Sequence, residues 1–309
     1  MAAEKLRLVY VGSSGRSGST ILELLLGAHQ AFWTLGEFHL LPWELRTNTK
    51  PCGCGRLVEE CPFWGPITQE CKDELVDGSI GRFRDSYWAD RALRFGELRF
   101  LASASPRHRA RRQSDLEQYG RENLRVLQMA LDKAKSIKGD PVAWLIDASK
   151  SPYRLLWLKE TGLFDVRVIH LVKDPRAFAY SVAKDRSGVE RAVQVARATL
   201  RWNVENYLFN RLFRAHFSPA EVLRLRYEEL AADPEATLRR ICTWLGASVD
   251  DGLSDRFRNE NHGISGNPAR FDRGGIRLDE AWRTGLRTWT KQAVRAASFL
   301  LARQYGFPW

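Results

Sequence analysis

No apolar run in this 309-residue chain approaches the roughly 20 residues a helix needs to span a bilayer, so no transmembrane segment is expected. A secretory leader is not read either. The opening MAAEKLRLVYVG is too short, is soon interrupted by Gly and Ser, and reads better as a first strand. The default expectation is therefore a cytoplasmic protein. Five cysteines, an odd number, argue against a disulfide-built scaffold. Internal repeats and long linkers are missing too, so one domain over residues 1–309 is expected. Its 44% hydrophobic residues are enough for a substantial core.

What is present in excess is positive charge, 48 Lys+Arg against 37 Asp+Glu, a net +11. That balance suits an anionic ligand, whether nucleotide, nucleic acid, acidic glycan or membrane, without choosing among them. The run PRHRARR (106–112) fits a solvated, mobile loop better than a nucleic-acid site, and no nucleic-acid partner is expected.

The apolar pattern is that of an α/β protein. Leu6 to Val11 is a short apolar run ending at Gly12, as in a buried strand. A Gly/Ser-rich loop, Gly12 to Thr20, precedes Ile21, Leu24, Leu25 and Ala28 at helical spacing. Further strands are expected at 142–146, 166–172 and 221–225, each followed by a polar turn and a helical pattern, which implies a parallel sheet. Asp233-Pro234 reads as N-cap and first residue of a helix that Gly246 closes. Residues 42–135 break the pattern and read as a mostly helical insertion, a cap or lid over the substrate. Within it, Tyr87, Trp88, Phe95 and Phe100 suit the core face of a helix. After Asp279 the spacing of Trp282, Leu286 and Trp289 predicts another helix.

The loop GSSGRSGST brings small residues, a helix N-terminus, Arg16 and the hydroxyls of Ser19 and Thr20 to one place, which suits a phosphate or sulfate group. A P-loop kinase needs Lys between the last Gly and the hydroxyl residue. Here Ser19 stands between Gly18 and Thr20, so a nucleotide or small-molecule kinase is the weaker alternative.

The segment RSGSTILELLLGAH, preceded by a strand, resembles the 5'-phosphosulfate loop of sulfotransferases that use 3'-phosphoadenosine 5'-phosphosulfate (PAPS), especially the carbohydrate and tyrosylprotein branches and their bacterial relatives. The resemblance spans about residues 6–41 and 140–290. It implies a P-loop-like three-layer sandwich around a parallel sheet and a sulfuryl transfer from PAPS to a hydroxyl or amine. It also implies that Arg16, Ser17, Gly18, Ser19 and Thr20 grip the 5'-phosphosulfate. A second signature, VIHLVKDPRAFAYS, resembles the family's 3'-phosphate site, with Lys173 where the family carries Arg and Ser181 eight residues on. Lys meets a phosphate as a point charge rather than a fork. Arg176 is a candidate to share that task.

Further likeness implies roles for Lys150 in DASK, beside the transferring group, and for Tyr227 in RYEEL, at the cofactor. In HGISGNPARF it implies that Ser265, Gly266, Asn267 and Arg270 close over the nucleotide. For the general base, Glu37 in LGEFHL stands near the family's Glu position, with His39 as the alternative because imidazole titrates near neutrality. His29 is expected to pack. The implied partners are PAPS and an acceptor that is carbohydrate, lipid, peptide or small metabolite. The transfer demands no metal chemically. Cys52, Cys54, Cys61 and Cys71 lie within 20 residues, but C-x-C-x6-C-x9-C is not a common paired zinc-knuckle spacing. Free or redox-paired thiols are expected there, and no metal site.

Overall fold

The computed structural model describes residues 4–86, 95–249, 261–271 and 276–307. The first strand, β1 (Leu6–Ser13), is buried along almost its whole length, because helices cover both sheet faces. It leads into α1 (Ser19–Ala28) and then β2 (Phe32–Gly36). The helical stretch that follows holds α2 (Leu41–Thr47), α3 (Trp64–Glu70), α4 (Lys72–Val76), α5 (Ser79–Ser86), α6 (Phe95–Ala102), α7 (Pro106–Ala110) and α8 (Gln113–Lys138). The chain then alternates: β3 (Trp144–Asp147), α9 (Pro152–Thr161), β4 (Phe164–Val172), α10 (Pro175–Ala183), α11 (Gly188–His216) and β5 (Val222–Arg226). Among the described residues four helices follow: α12 (Tyr227–Ala232), α13 (Pro234–Leu245), α14 (Trp282–Gly285) and α15 (Thr288–Gln304).

The sheet has the order β2-β3-β1-β4-β5, with every pairing parallel. The fold is therefore the expected P-loop-like α/β sandwich. β2 is a strand that the sequence pattern does not announce. Only His29, Gln30 and Ala31 separate it from α1, with no Gly or Pro to punctuate the join. His29 makes the turn: buried, its Nδ1 accepts the Ala31 N–H at 3.0 Å. Lys138, at the end of α8, donates to the carbonyls of His29 and Phe32 at 3.1 and 3.0 Å and holds the turn from below.

Alternate residues of each strand feed two separate cores. Leu8, Tyr10, Leu145, Val166 and Val168 pack with Phe63, Trp64, Phe100, Leu116 and Val126. Val9, Val11, Ile146, Ile169 and Leu171 pack with Leu22, Leu25, Leu238 and Ile241 on the other face. The helical stretch between β2 and β3 thus shares one apolar cluster with the sheet. It is a layer of the core rather than a detachable lid. Phe100 is buried in it as expected, while Tyr87 and Trp88 lie outside the described residues.

Other expectations need correction. The run 106–112 is not a loop: Pro106 opens the exposed helix α7, and Arg112 pairs with Glu97 at 2.5 Å. The C-terminal helical pattern is two helices, since Leu286 and Arg287 are extended, and Trp289 is left 59% exposed. By contrast, α13 forms as read. The Asp233 side chain accepts the Ala236 N–H at 2.8 Å, and Gly246 closes the helix in the left-handed region.

Beneath the strand ends lies a buried ion pair. Arg154 Nε donates to Asp147 Oδ2 at 2.8 Å, and its Nη1 reaches the Tyr119 hydroxyl at 2.6 Å and Asn123 Oδ1 at 3.0 Å. Asp147 Oδ1 accepts the backbone N–H of Ser149 at 2.9 Å and the Ser149 hydroxyl. Both charges are essentially inaccessible, so removing one strands the other in a low-dielectric interior. Arg154→Ala is expected to lower the unfolding free energy by about 3–5 kcal/mol in urea titrations. A loss below about 1 kcal/mol would mean the pair does not anchor this corner.

Candidate active site

The carboxyl ends of all five strands face one cavity of about 630 Å³. Ser13 at the end of β1, Glu37 after β2, Ser149 and Lys150 after β3, Lys173 after β4 and Tyr227 after β5 all line it. In open α/β sheets, ligands bind in such a crevice, where the strand order reverses. Here the reversal falls between β1 and β4, and the two anion-binding signatures follow those two strands.

The loop after β1 is shaped for close approach. The Ser17 N–H donates to the Ser14 carbonyl at 3.2 Å, and Arg16 and Gly18 take positive φ of 76° and 88°. A Cβ on Gly18 would lie 2.3 Å from the Tyr227 ring, so both backbone and neighbour require glycine there. Gly18 stands at the N-cap of α1 without a side-chain cap, which leaves the first N–H groups of the helix to other acceptors. Arg16, Gly18, Ser19 and Thr20 line the cavity; Ser17 lies behind them, 1% exposed. The hydroxyls of Ser13, Ser14 and Ser17 are buried without a partner among the described residues, as in a cradle that an oxyanion would complete.

On the far side of β1, Lys173 Nζ lies 4.5 Å from the Tyr227 ring centre and 3.3 Å from Asp279 Oδ2. Ser181, on the next helix, lines the cavity while its hydroxyl donates to the Phe178 carbonyl at 2.8 Å. Arg176 does not join them: it forks onto Asp174 at 2.6 and 3.0 Å and stacks 4.5 Å from Trp282. Lys184, Arg201 and Glu205 also line the cavity, and sequence reasoning missed all three. Arg201 and Glu205 read as an ordinary i,i+4 pair, and only the packing of α11 across the sheet brings Arg201 beside Gly15.

The late segment reaches the same place. The Ile264 N–H donates to Leu35 at 2.9 Å and its carbonyl accepts from Glu37 at 2.8 Å, extending the sheet by one bridge. Gly36 makes that bridge possible, since its φ is +72° and a Cβ would sit 2.2 Å from the Ile264 nitrogen. The Asn267 N–H then reaches Thr20 Oγ1 at 3.4 Å, and Gly266 and Asn267 line the cavity. Ser265, with φ of 55°, is buried and accepts from Lys50 at 3.5 Å. Arg270 points elsewhere: its guanidinium donates to the carbonyls of Pro51 and Gly263 at 2.5 and 3.2 Å. Its expected charge for the nucleotide is replaced by a brace between two segments.

Glu37 Oε1 and Lys150 Nζ meet at 2.7 Å at the cavity wall, with Lys150 in the left-handed region at φ 61°. His39 lines the same wall, and its backbone N–H donates to Ser149 Oγ at 3.0 Å. Deeper, Glu23 is wholly buried and accepts from the Thr34 hydroxyl. Burial pushes its carboxyl up to about 7, against the opposing Thr34 hydrogen bond and the charge of Lys150.

Residues 79–251, more than half of the chain, match the model of the sulfotransferase family. The chain belongs to that family. A Caenorhabditis briggsae protein provisionally named a protein-tyrosine sulfotransferase is 23% identical over 77% of this chain and 65% of its own length. The chain therefore spans just under two thirds of that curated relative. Among solved structures, the sulfotransferase domain of the Synechococcus PCC 7002 olefin synthase aligns over 99% of this chain and 98% of its own, at 22% identity and a TM-score of 0.57. The sulfotransferase domain of the curacin biosynthetic pathway aligns over 99% of both chains at 17% identity and a TM-score of 0.55. Sulfotransferase STF9 from Mycobacterium avium aligns over 99% of this chain and 78% of its own at 18% identity and a TM-score of 0.51. At these identities the structural likeness establishes the sulfotransferase fold. Among the described residues of the chain, no helix is long and apolar enough to cross a membrane.

Glu23 gives the chain a pH signature. Its folded value of about 7 lies above its ordinary 4.5, so it costs nothing below pH 4.5. The penalty accumulates as pH rises from about 4.5 to about 7 and is complete above that, at about 3 kcal/mol. Glu23→Gln is expected to remove that slope. The difference in melting temperature between variant and native chain should move in the variant's favour from pH 5 to pH 8. A difference that stays constant across that range would show that Glu23 does not titrate there.

Proposed function

We propose that the cavity binds PAPS and that the chain transfers its sulfuryl group to a hydroxyl or amine of an acceptor. One observation carries this: two clusters of cations and hydroxyls, from the loops after the neighbouring strands β1 and β4, face a single cavity. A volume of about 630 Å³ suits one bisphosphorylated adenosine. Arg16, Ser17, Gly18, Ser19 and Thr20, with the N-terminus of α1, hold the 5'-phosphosulfate. Lys173 and Ser181 hold the 3'-phosphate, and Tyr227 packs between the two groups against Gly18. Ser265, Gly266 and Asn267 close the nucleotide side. Lys184 and Arg201 add positive charge to the same wall.

In the transfer, a bond forms between the acceptor oxygen or nitrogen and sulfur while the bridging sulfur–oxygen bond to the 5'-phosphate breaks. The acceptor proton passes to Glu37, or to His39 beside it. Arg16, Lys150 and the helix N-terminus stabilise the charge that develops on the departing bisphosphate. Lys150, 2.7 Å from Glu37, sits where it can serve the leaving group and orient the base. No metal enters this step. The whole chain acts as one domain in this reading, and Leu40, Tyr153 and Leu208, which lie outside the helical stretch 42–135, supply the apolar wall of the cavity. Carbohydrate, lipid, peptide and small-metabolite acceptors all remain compatible with that wall.

Binding is tested by thermal shift. 3',5'-Bisphosphoadenosine should raise the melting temperature by several degrees at saturating concentration, and ATP with Mg²⁺ should not. A shift with ATP-Mg²⁺ alone would favour the kinase alternative. Catalysis is tested with radiolabelled PAPS and a panel of hydroxyl acceptors. Glu37→Gln should lower transfer about 10²–10⁴-fold while the bisphosphoadenosine shift is kept. Full activity in that variant would move the base to His39.

A further inference from the structure

Of the four cysteines that cluster in sequence, three also cluster in space and the fourth does not. Cys71 points away, its Sγ 3.3 Å from Met129 Sδ. In its place stands His262, about two hundred residues downstream. Cys61 Sγ lies 3.5 Å from Cys52 Sγ, 3.7 Å from Cys54 Sγ and 3.3 Å from His262 Nδ1. All four ligand atoms fall within 4.8 Å of one another. Cys52, Cys61 and His262 are buried, and all three thiols are free.

These spacings fit a tetrahedral metal. Zn–S bonds of about 2.3 Å and a Zn–N bond of about 2.0–2.1 Å place ligand atoms at tetrahedral corners about 3.6–3.8 Å apart. A disulfide would need about 2.05 Å between sulfurs. We propose that Cys52, Cys54, Cys61 and His262 bind one Zn²⁺ in a closed structural site that clamps the 51–56 turn to the 261–264 segment. With three thiolates and one neutral imidazole no position is left for water or substrate, so the ion holds structure and does no chemistry. Three thiol protons leave as the ion enters, and the site carries one net negative charge.

The surroundings are those a thiolate–zinc site requires. The Trp64 N–H points at Cys61 Sγ at 3.4 Å, and the Trp64 indole N–H donates to the His262 carbonyl at 2.5 Å. The His262 ring is stacked against Phe63 and Trp33, with centroids 5.5 and 6.0 Å away, which fixes its plane. Around Cys52 the chain turns tightly: the Cys52 N–H donates to Arg56 at 2.8 Å, and that of Gly53 donates to Gly263 at 3.0 Å. Arg270 spans the same two segments and supplies a cation beside the site's net negative charge.

The zinc content can be tested without any nucleotide. The full chain, produced without a metal-affinity tag in zinc-supplemented medium, is expected to carry about one zinc per chain by plasma mass spectrometry. X-ray absorption should give three sulfur neighbours and one nitrogen neighbour at the distances above. His262→Cys should keep one zinc with four sulfurs, while the double variant Cys52→Ser/Cys61→Ser should lose it. If that double variant does not fold, the native chain's metal count and absorption spectrum decide alone. Folded native protein with less than a tenth of an equivalent of zinc would overturn the proposal. So would a Cys52–Cys61 disulfide in thiol counts, or full zinc retention in the folded double variant.

Discussion

The corner between β3 and α9 depends on the buried pair of Asp147 and Arg154. Asp147 ends a strand inside the sheet, and its two oxygens are divided between Arg154 and the turn that follows. The Ser149 hydroxyl donates to Asp147, and its oxygen in turn accepts the His39 N–H. One ion pair thereby fixes Lys150, Ser149 and the entry to the helical layer, which is where Glu37 and His39 stand. Arg154 also binds Tyr119 and Asn123 of α8, so the same side chain joins the layer to the sheet. The cost of burying two charges is offset by this number of hydrogen bonds.

Strained backbone marks the same rim. Arg16, Lys150 and Ser265 all take positive φ without being glycine. Such residues persist only where the surroundings over-determine them. Two of the three, Arg16 and Lys150, are cations that line the cavity. The late segment adds a further constraint, because it is held at once by Leu35, Glu37 and Thr20.

Much of this was legible in the residues. β1, β3, β4 and β5 are apolar runs that end at Gly, Asp or a cation, and α13 carries its own start and stop in Asp233 and Gly246. That the loop after β1 and the Lys173–Ser181 pair meet at one cavity was readable because each follows a strand and keeps a fixed spacing. β2 was hidden, since Phe32, Trp33 and Thr34 follow α1 without a turn residue and are held there by pairing with β3 and by Lys138. Arg201 and Lys184 carry no local signal, and their place depends on how α10 and α11 lie across the sheet. Proximity in sequence misled for Cys71 and concealed His262. Arg270 looked like a nucleotide ligand because of its loop, yet two backbone carbonyls claim its guanidinium.

The strand order has a consequence for how the molecule is made. β1 lies in the middle of the sheet, yet its partners arrive late: Leu8 pairs with Leu145 on one side and with Val166 on the other. No hairpin can form the sheet stepwise, so the first strand has no neighbour until well over a hundred further residues have been synthesised. Such non-local pairing slows folding and leaves apolar edges uncovered in the meantime. During translation, then, the nascent N-terminal half is the aggregation-prone species, and a chaperone that shelters β1 until β4 emerges would raise the yield of folded chain.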